Sequence, residues 1–235
     1  MMTHARTAKS AAGIYPLLDA ARLAHIEPQK LRRWLDGYAY NANGRRGRSK
    51  PVFRRDRPTE RILSFRDLIE VSFVTAFLRE GLSMHKIRDF EERAASELKT
   101  THPFCTHQFA TDGQTIFAKV NWGGVPRVLD LKRRQFVFKK VISPLLRNLD
   151  FGTDDASRLW PLGKDRPVVI DPRVAFGAPT VARSSVPTRI LFGAVQSGES
   201  VEAIAEWYSV GVDEVEAARE LEEQLVPPRR PRVAA

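Results

Sequence analysis

The spacing of hydrophobic residues near the start of the chain predicts two short helices. Both lie in the stretch "YPLLDAARLAHIEPQKLRRWLDGY", residues 15–38, where apolar residues recur every three to four positions. Pro28 suits the first turn of the second helix, because it has no N–H group that would need a partner there, and Gly37 suits its end. The apolar faces contain Ala20, Leu23 and Ala24 in the first helix and Leu31, Trp34 and Leu35 in the second. The pattern therefore predicts a helix, a tight turn and a second helix.

The polar face of the second predicted helix is basic. Its outward positions hold Gln29, Lys30, Arg32 and Arg33. A tight turn followed by a basic helix is typical of helix-turn-helix proteins, which place the second helix in the major groove of DNA. The apolar spacing fits an ordinary pair of core helices equally well, so this pattern alone leaves both interpretations open.

A strongly basic segment follows, "NANGRRGRSKPVFRRDRP", residues 41–58. It contains seven arginines and lysines and little that is apolar besides Val52 and Phe53. We therefore expect it to contribute nothing to the core. It forms either a flexible linker or a basic hairpin, and Asn43-Gly44 is a typical hairpin turn.

The remaining apolar patterns predict a helical part, a part with strands and a second helical part. Ser64 and Ser83 are placed to cap two long helices. From about Lys99 the apolar residues form short alternating runs, and residues 107–120 fit two strands around a turn at Asp112-Gly113. Further strands are expected at residues 127–131, 135–142 and 164–172, and short helices at 144–151 and between 187 and 225. The sequence thus predicts an α+β fold that is mainly α.

The charge is distributed unevenly along the chain. The net charge is +10, and residues 1–66 account for all of it, with 15 Lys and Arg against 5 Asp and Glu. A localised basic excess attracts polyanions, so nucleic acid is the first partner to consider and an anionic membrane the second. No amphipathic Lys-rich helix with Phe or Trp on its other face supports a membrane partner. Residues 199–223 are the opposite, with nine acidic residues and one basic residue, and they suit a protein partner or self-association.

Other candidate chemistry is weak. His102, Cys105 and His107 are possible zinc ligands, but a structural zinc site needs four ligands, so ordinary loop residues are the better interpretation. No phosphate-binding loop, nucleophile motif or acidic metal cluster indicates an enzyme, and we predict no cofactor. The single cysteine and the lack of a long apolar run or secretory h-region fit a cytoplasmic protein.

The order of the N-terminal features resembles MerR-type winged helix-turn-helix domains over about the first 90 residues. The resemblance rests on "AARLAHIEPQKLRRW" and "RDLIEVSFVTAFLREGLSMHKIR". It implies that residues 28–35 are a recognition helix, whose four outward residues lie at the major groove or its phosphates, and that residues 41–57 are the wing. The basic wing residues implied to contact DNA are Arg45, Arg46, Arg48, Lys50, Arg54 and Arg55.

The C-terminal third resembles a small family called domain of unknown function 433. The pattern is carried by residues 168–222 and includes Asp171-Pro172, Gly177-Ala178-Pro179 and Gly198-Glu199-Ser200. Members of that family often act as antitoxins beside toxins with a PIN-type ribonuclease fold. Longer members with a MerR-like front end look like VapB-type antitoxins, which this chain resembles over most of its length. The two resemblances imply a DNA-binding domain at 1–99, a small β-containing middle region at 100–165, a helical antitoxin-like domain at 166–226 and a basic tail at 227–235.

These observations lead to a functional hypothesis with one rival. The first hypothesis is an antitoxin that represses its own operator and neutralises a PIN-type ribonuclease. The family resemblance implies that tail arginines Arg229, Arg230 and Arg232 bind the toxin's metal-binding carboxylates, whereas the composition alone fits an ordinary solubilising end. The long coiled-coil helix of MerR-type proteins is missing, so we expect a homodimer formed through the middle region and the C-terminal helices. The rival is a single-component MerR-like transcription regulator whose middle region binds a ligand.

Overall fold

Helices and short antiparallel strands make up the part of the chain that the computed structural model describes, residues 13–42, 45–118, 136 and 138–226. The first half contains β1 (Tyr15–Pro16), α1 (Leu17–Leu23), α2 (Pro28–Asp36), β2 (Tyr38–Ala42), β3 (Arg45–Ser49), β4 (Ile62–Leu63), α3 (Phe65–Arg79), α4 (Met84–Leu98) and α5 (His107–Ala118). The second half contains α6 (Ser143–Arg147), β5 (Leu149–Phe151), β6 (Ala156–Leu159), β7 (Val168–Ile170), β8 (Pro179–Val181), α7 (Thr188–Gln196), α8 (Val201–Tyr208) and α9 (Val212–Leu225). The fold is mixed α and β with helices in the majority, as the sequence predicts.

The strands form three small antiparallel sheets. β1 pairs with β4, and β2 pairs with β3 from Tyr38 opposite Ser49 to Ala42 opposite Arg45. The third sheet has four strands in the order β5-β6-β7-β8. The pairing of β2 with β3 confirms a hairpin at the basic segment, and its turn at Asn43-Gly44 lies outside the described residues.

The predicted helix caps are present. The Ser64 hydroxyl accepts a hydrogen bond from the Asp67 amide, and the Asp67 carboxylate accepts one from the Ser64 amide, which together form a capping box at the start of α3. Ser83 caps α4 in the simpler way, through its side chain and the Lys86 amide. These caps satisfy amide groups that the first turn of a helix leaves without partners.

Five phenylalanines form the centre of the main core. They are Phe73 and Phe77 of α3, Phe90 of α4, Phe104, and Phe109 of α5, with ring centroids 5.1 to 6.4 Å apart. The apolar cluster around them extends from Tyr15 to Ile170. Val52 and Phe53 belong to it, so the expectation that residues 41–58 contribute nothing to the core was wrong. Two apolar residues are enough to bind the end of a basic segment to the core, because each buries its whole side chain.

Residues 107–118 are a helix, so the predicted pair of strands around Asp112-Gly113 was wrong. Thr106 accepts a hydrogen bond from the Phe109 amide at the start of α5, and Phe109 and Ile116, seven residues apart, are both buried. Burial against the phenylalanine cluster outweighed the local turn preference of Asp-Gly. The strand predicted at 135–142 was also wrong: residues Phe138–Ile142 form a π-helical turn, with Phe138, Val141 and Ile142 buried at helical spacing. Residues 127–131 lie outside the described residues.

A separate core holds the C-terminal helices. It contains Val181, Leu191, Ile204, Ala205, Val215 and Ala218, with a smaller cluster of Val168, Ala217 and Leu221 beside it. The three helices and the strand at 168–170 occur where the sequence predicts them. No helix in the described part of the chain is long and apolar enough to span a bilayer.

The N-terminal strand contacts the C-terminal part at a narrow junction. The Ile14 amide donates to the Phe176 carbonyl at 3.0 Å, and the buried ring of Tyr15 lies against Gly177. Gly177 has a φ of +87°, and a Cβ there would lie 2.3 Å from the Tyr15 hydroxyl. Only glycine fits this junction, for reasons of both backbone conformation and space.

Candidate nucleic-acid interface

The four outward residues of α2 are all exposed. Gln29, Lys30, Arg32 and Arg33 face solvent, and Leu31, Trp34 and Leu35 are buried, as the apolar spacing predicts. Two of the charged groups lie over aromatic rings: the Lys30 Nζ is 5.7 Å from the Trp34 ring centroid, and the Arg33 guanidinium is 5.5 Å from that of Tyr38. The helix therefore presents three cations and one amide from a fixed backbone.

Contacts at the turn fix α2 relative to the core. His25 has a φ of +50°, and its carbonyl accepts a hydrogen bond from the Arg79 guanidinium of α3 at 2.9 Å. The Ile26 amide donates to the Ala21 carbonyl at 2.8 Å, which closes the end of α1. Burial, and then the charge of Arg79, lower the pKa of His25, so its imidazole is less readily protonated than that of a free histidine.

The root of the β2–β3 hairpin is attached to both α2 and α4. Gly37, with a φ of +69°, turns the chain out of α2, and a Cβ there would lie 2.1 Å from the Ser49 carbonyl oxygen. The Val52 amide donates to the Trp34 carbonyl at 2.8 Å. From α4, the Arg88 guanidinium donates to the Ser49 hydroxyl at 2.7 Å and to the Lys50 carbonyl at 3.0 Å. The hairpin is therefore a fixed projection beside α2.

The hairpin has two chemically different faces. Side chains of directly paired residues point to the same side of a sheet. Tyr38 and Tyr40, opposite Ser49 and Gly47, therefore share one face, and Arg46 and Arg48 share the other. The Tyr40 ring crosses Gly47, where a Cβ would lie 2.6 Å from it.

The predicted DNA-binding residues divide into two groups. The first group is exposed and comprises Gln29, Lys30, Arg32, Arg33, Arg46, Arg48, Lys50 and Arg54, whereas the side chain of Arg45 lies outside the described residues. Arg55 differs, because its side chain is only 9% exposed and donates to Asp36 and to the carbonyls of Pro58 and Glu60. Its guanidinium closes the loop after the hairpin, a long-range role that the local sequence does not reveal.

A groove of about 1270 Å³ is lined by both the hairpin root and α4. Arg48, Lys50, Arg54 and Lys99 line it, and Glu91 lies in its wall. Burial, and then the charge of the neighbouring Glu92, raise the pKa of Glu91 to about 7, while the charge of Arg54 opposes the change. Sequence reasoning missed this groove, because it is built from residues about 40 positions apart that meet only in the fold.

The possible zinc ligands are not brought together. His102 and Cys105 are buried and His107 is exposed, with its ring 5.5 Å from that of Phe151. The His102 Nε2 instead lies 2.9 Å from the Asp67 carboxylate, and Asp56 completes a group of three potential ligands.

The carboxylates of that group already have protein partners. Asp67 accepts from the amides of Ser64 and Asp56, and Asp56 accepts from the Ser64 hydroxyl and the Arg66 guanidinium. Burial raises the pKa of Asp56, but the Ser64 hydrogen bond and the charges of His102 and Arg66 outweigh it and hold the pKa below its ordinary value. The cluster fastens the start of α3 to the loop at His102, and nothing in it indicates a metal.

The Asp-Pro motif predicted near residue 171 forms a buried ionic junction. The Asp171 carboxylate accepts from the guanidinium groups of Arg158 and Arg173 at 2.7 to 2.9 Å and from the Arg173 amide. The Arg173 hydrogen bond is the main reason that the pKa of Asp171 lies well below its ordinary value. Asp171 thereby joins the four-stranded sheet to the turn that contacts Tyr15. The tail arginines Arg229, Arg230 and Arg232 lie outside the described residues.

Comparison with known proteins identifies relatives of the chain. Residues 168–220 match a family model described as "Protein of unknown function (DUF433)", which confirms the C-terminal resemblance. The chain is 28% identical over 220 residues to a protein named "Putative antitoxin VapB45" from Mycobacterium tuberculosis (strain ATCC 25618 / H37Rv), a match that covers 87% of this chain and 92% of that protein. The crystal structure of Rv2018 from Mycobacterium tuberculosis shares the fold, with a TM-score of 0.65 and 22% identity over 87% of this chain and 96% of that one.

Proposed function

We propose that this protein is a cytoplasmic antitoxin of a type II toxin–antitoxin system, which represses its own operator and neutralises a PIN-type ribonuclease. The observation that carries the proposal is the similarity to the protein named as an antitoxin, because it extends over 87% of this chain and 92% of the relative. The match of residues 168–220 to the DUF433 family supports it independently of the N-terminal part. An enzyme is not proposed, since neither the sequence nor the described clusters supply catalytic chemistry.

In this proposal the N-terminal part is a MerR-like winged helix-turn-helix domain, residues 1–99. Helix α2 lies in the major groove, where Gln29 can read adenine and the lysine and arginines contact guanine or phosphate. The β2–β3 hairpin is the wing, and Arg46 and Arg48 add affinity that does not depend on sequence. Arg55 is left out of this interface, because its guanidinium is committed to the loop.

The remainder of the chain would serve toxin binding and self-association. We expect a two-fold dimer, because one short recognition helix seldom supplies enough specificity and dimers read half-sites about one helical turn apart. The middle region, residues 100–165, and the helical domain, 166–226, are the expected contacts. The tail, 227–235, would place Arg229, Arg230 and Arg232 against the carboxylates that hold Mg²⁺ in a PIN-type ribonuclease.

The test is to co-express the protein with the product of the neighbouring open reading frame. We expect a stable complex, loss of ribonuclease activity in that complex, and binding of the complex to the upstream DNA. Truncation after Leu225 should restore much of the ribonuclease activity and leave DNA binding intact. Failure of the wild-type protein to bind or inhibit that product would remove the antitoxin proposal.

A second function is favoured by one observation, the groove between the hairpin root and α4. A single-component regulator needs a ligand site that can influence its DNA-binding elements, and this groove touches both the hairpin and Arg54. The ligand would be anionic, and it would bind in the N-terminal part instead of the middle region that the sequence suggested. A screen of anionic metabolites by thermal shift, with no ribonuclease partner present, would reveal a large stabilisation if this function is correct.

A further inference from the structure

An exposed apolar corner lies where α8 meets α9. Trp207 and Tyr208 end α8 and Val212 begins α9, and their side chains are 61%, 37% and 42% exposed. Tryptophan and tyrosine are the residues that contribute most often to the energetic centre of protein interfaces. Three such apolar residues within six positions of one turn form a surface of the kind that a partner covers.

Carboxylates surround this corner. Glu202 and Glu206 lie on the exposed side of α8, and Asp213 and Glu216 lie on that of α9. None of the four forms an ion pair with another residue that the structure describes. The chain has no lysine or arginine between Arg189 and Arg219, so the segment that forms the corner carries only negative side-chain charges.

The corner is held rigidly. Ser200 caps the start of α8 through the Ala203 amide, and the Gly211 amide donates to the Glu214 carboxylate at the start of α9. Between the two helices, the Val210 amide donates to the Ala205 carbonyl at 2.9 Å. Aromatic side chains on a fixed backbone lose little conformational entropy on binding, so the corner is preorganised for binding a partner.

The charge of the corner decides which partner it fits. DNA is excluded, because phosphate is repelled by four unpaired carboxylates. A second copy of the same corner is also excluded, because a two-fold contact would bring the same carboxylates face to face. A protein with a basic surface and an apolar recess is the complementary partner.

We propose that this corner, composed of Trp207, Tyr208 and Val212 with Glu202, Glu206, Asp213 and Glu216, docks on the basic RNA-binding surface of the ribonuclease, with Trp207 as its anchor. The proposal rests on the function proposed above. A ribonuclease must bind single-stranded RNA through cationic side chains and through groups on which bases stack. The corner carries the same two features as RNA, negative charge and flat rings. It therefore inhibits by occupying the place of the substrate.

The experiment measures binding of the full-length protein to the product of the neighbouring open reading frame, together with inhibition of its RNase activity. Trp207→Ala should weaken binding about 30-fold or more, and Trp207→Phe should recover most of it. Tyr40→Ala, which removes an exposed ring from the hairpin, is the matched control and should bind the ribonuclease normally. Circular dichroism of each variant checks that the fold is retained.

Charge is tested separately. Glu206→Gln/Asp213→Asn should lower the association rate about tenfold at low salt and reduce its salt dependence. Glu92→Gln/Asp112→Asn removes the same charge from exposed positions on α4 and α5, and should not change the rate. Inhibition by the wild-type protein should also weaken as the concentration of RNA substrate rises.

The outcomes separate the two proposals. If the wild-type protein does not bind the ribonuclease, both fail. If it binds and the Trp207→Ala and carboxylate variants bind equally well, the corner is not the docking surface, while the antitoxin function stands. Inhibition that does not depend on RNA concentration would overturn the substrate-like mode of docking.

Discussion

The turns of two helix pairs, α1–α2 and α8–α9, have the same local geometry, which also recurs between α3 and α4 and between α7 and α8. A residue with left-handed backbone forms each turn, with a φ of +50° at His25 and +52° at Ser209. The following amide donates to a carbonyl five residues earlier in both, and the second helix begins two residues later. The second helices of the two pairs, α2 and α9, can therefore be compared position by position.

The matched positions of the second helices carry opposite chemistry. Buried Leu31 and Trp34 of α2 correspond to buried Val215 and Ala218 of α9, and exposed Gln29 and Arg32 correspond to exposed Asp213 and Glu216. One backbone arrangement therefore presents a basic face at one end and an acidic face at the other. We therefore expect the outward side chains, and not the shape of the unit, to select its partner.

The largest expected effect comes from replacing outward side chains of α2 by the acidic side chains found at the matched positions of α9. The double variant Gln29→Asp/Arg32→Glu should weaken operator binding by about 4 kcal/mol or more, because it removes favourable contacts and brings carboxylates against phosphate. Fluorescence anisotropy with operator DNA measures the change. Retained DNA binding in a folded variant would show that another surface reads the operator.

The second prediction concerns the pH dependence of the basic end. The pKa of Glu91 is about 7 in the folded protein and has its ordinary value of 4.5 in the unfolded chain, so the folded protein binds an extra proton between these values. Stability contributed by the protonated group is present below pH 4.5 and is lost as the pH rises through 7. Glu91→Gln mimics the protonated group, and should therefore raise the free energy of unfolding by about 3 kcal/mol at pH 8 and leave it unchanged near pH 4.5. Urea unfolding at the two pH values measures this, with the exposed Asp112→Asn of α5 as control; equal shifts in both variants would refute it.

The third prediction separates the two arginines of α2. Arg32→Ala and Arg33→Ala should each weaken operator binding by about 1 to 3 kcal/mol if the side chain contacts bases, and by less if it contacts only phosphate. Arg33 lies against the Tyr38 ring, so Tyr38→Ala should reproduce part of its loss by releasing the guanidinium. Competition with mutated operators distinguishes base from phosphate contacts. Normal affinity in the double arginine variant would exclude α2 as the reading helix.

The smallest expected effect lies in the hairpin. Replacing Arg46 and Arg48 by glutamine should weaken binding to any DNA sequence about equally, and should reduce the slope of log affinity against log salt by about 0.9 for each phosphate that the protein no longer neutralises. Titrations at several salt concentrations give the slope. Arg55→Gln is the contrasting variant, because we expect it to lower stability without changing the slope. A wild-type slope in the Arg46/Arg48 variant would place these arginines away from DNA.

Sequence patterns predicted the elements whose signals are local. The helix boundaries at Pro28, Gly37, Ser64 and Ser83 were predicted, because each of these residues acts only on the few residues around it. The signals failed where distant burial decides the structure. Burial of Phe109 stabilises helix α5 in a segment whose Asp-Gly pair locally favours a turn. The seven-residue spacing from Phe109 to Ile116 was the signal that could have identified the helix.

In the candidate nucleic-acid interface, too, the sequence predicts the local features and not those that depend on distant residues. Exposure of the α2 residues follows from helical period, which is local, and the structure agrees with it. The internal role of Arg55 depends on Asp36, Pro58 and Glu60, and the groove depends on α4, so neither could be derived from composition or spacing. The fold is therefore needed to tell which basic residues of one segment face solvent and which bind internal partners.

The junction between Tyr15 and Gly177 connects the two chemically opposite ends. The Tyr15 hydroxyl is buried without a hydrogen-bond partner among the described residues, and burial, followed by the Asp171 charge, raises its pKa. An unpaired buried hydroxyl costs about 1 to 3 kcal/mol, a cost that is recovered when water reaches it. Tyr15 nevertheless stays in place, because its ring belongs to the same continuous apolar cluster as Ile170 of the four-stranded sheet, and burying that ring offsets the cost of its hydroxyl.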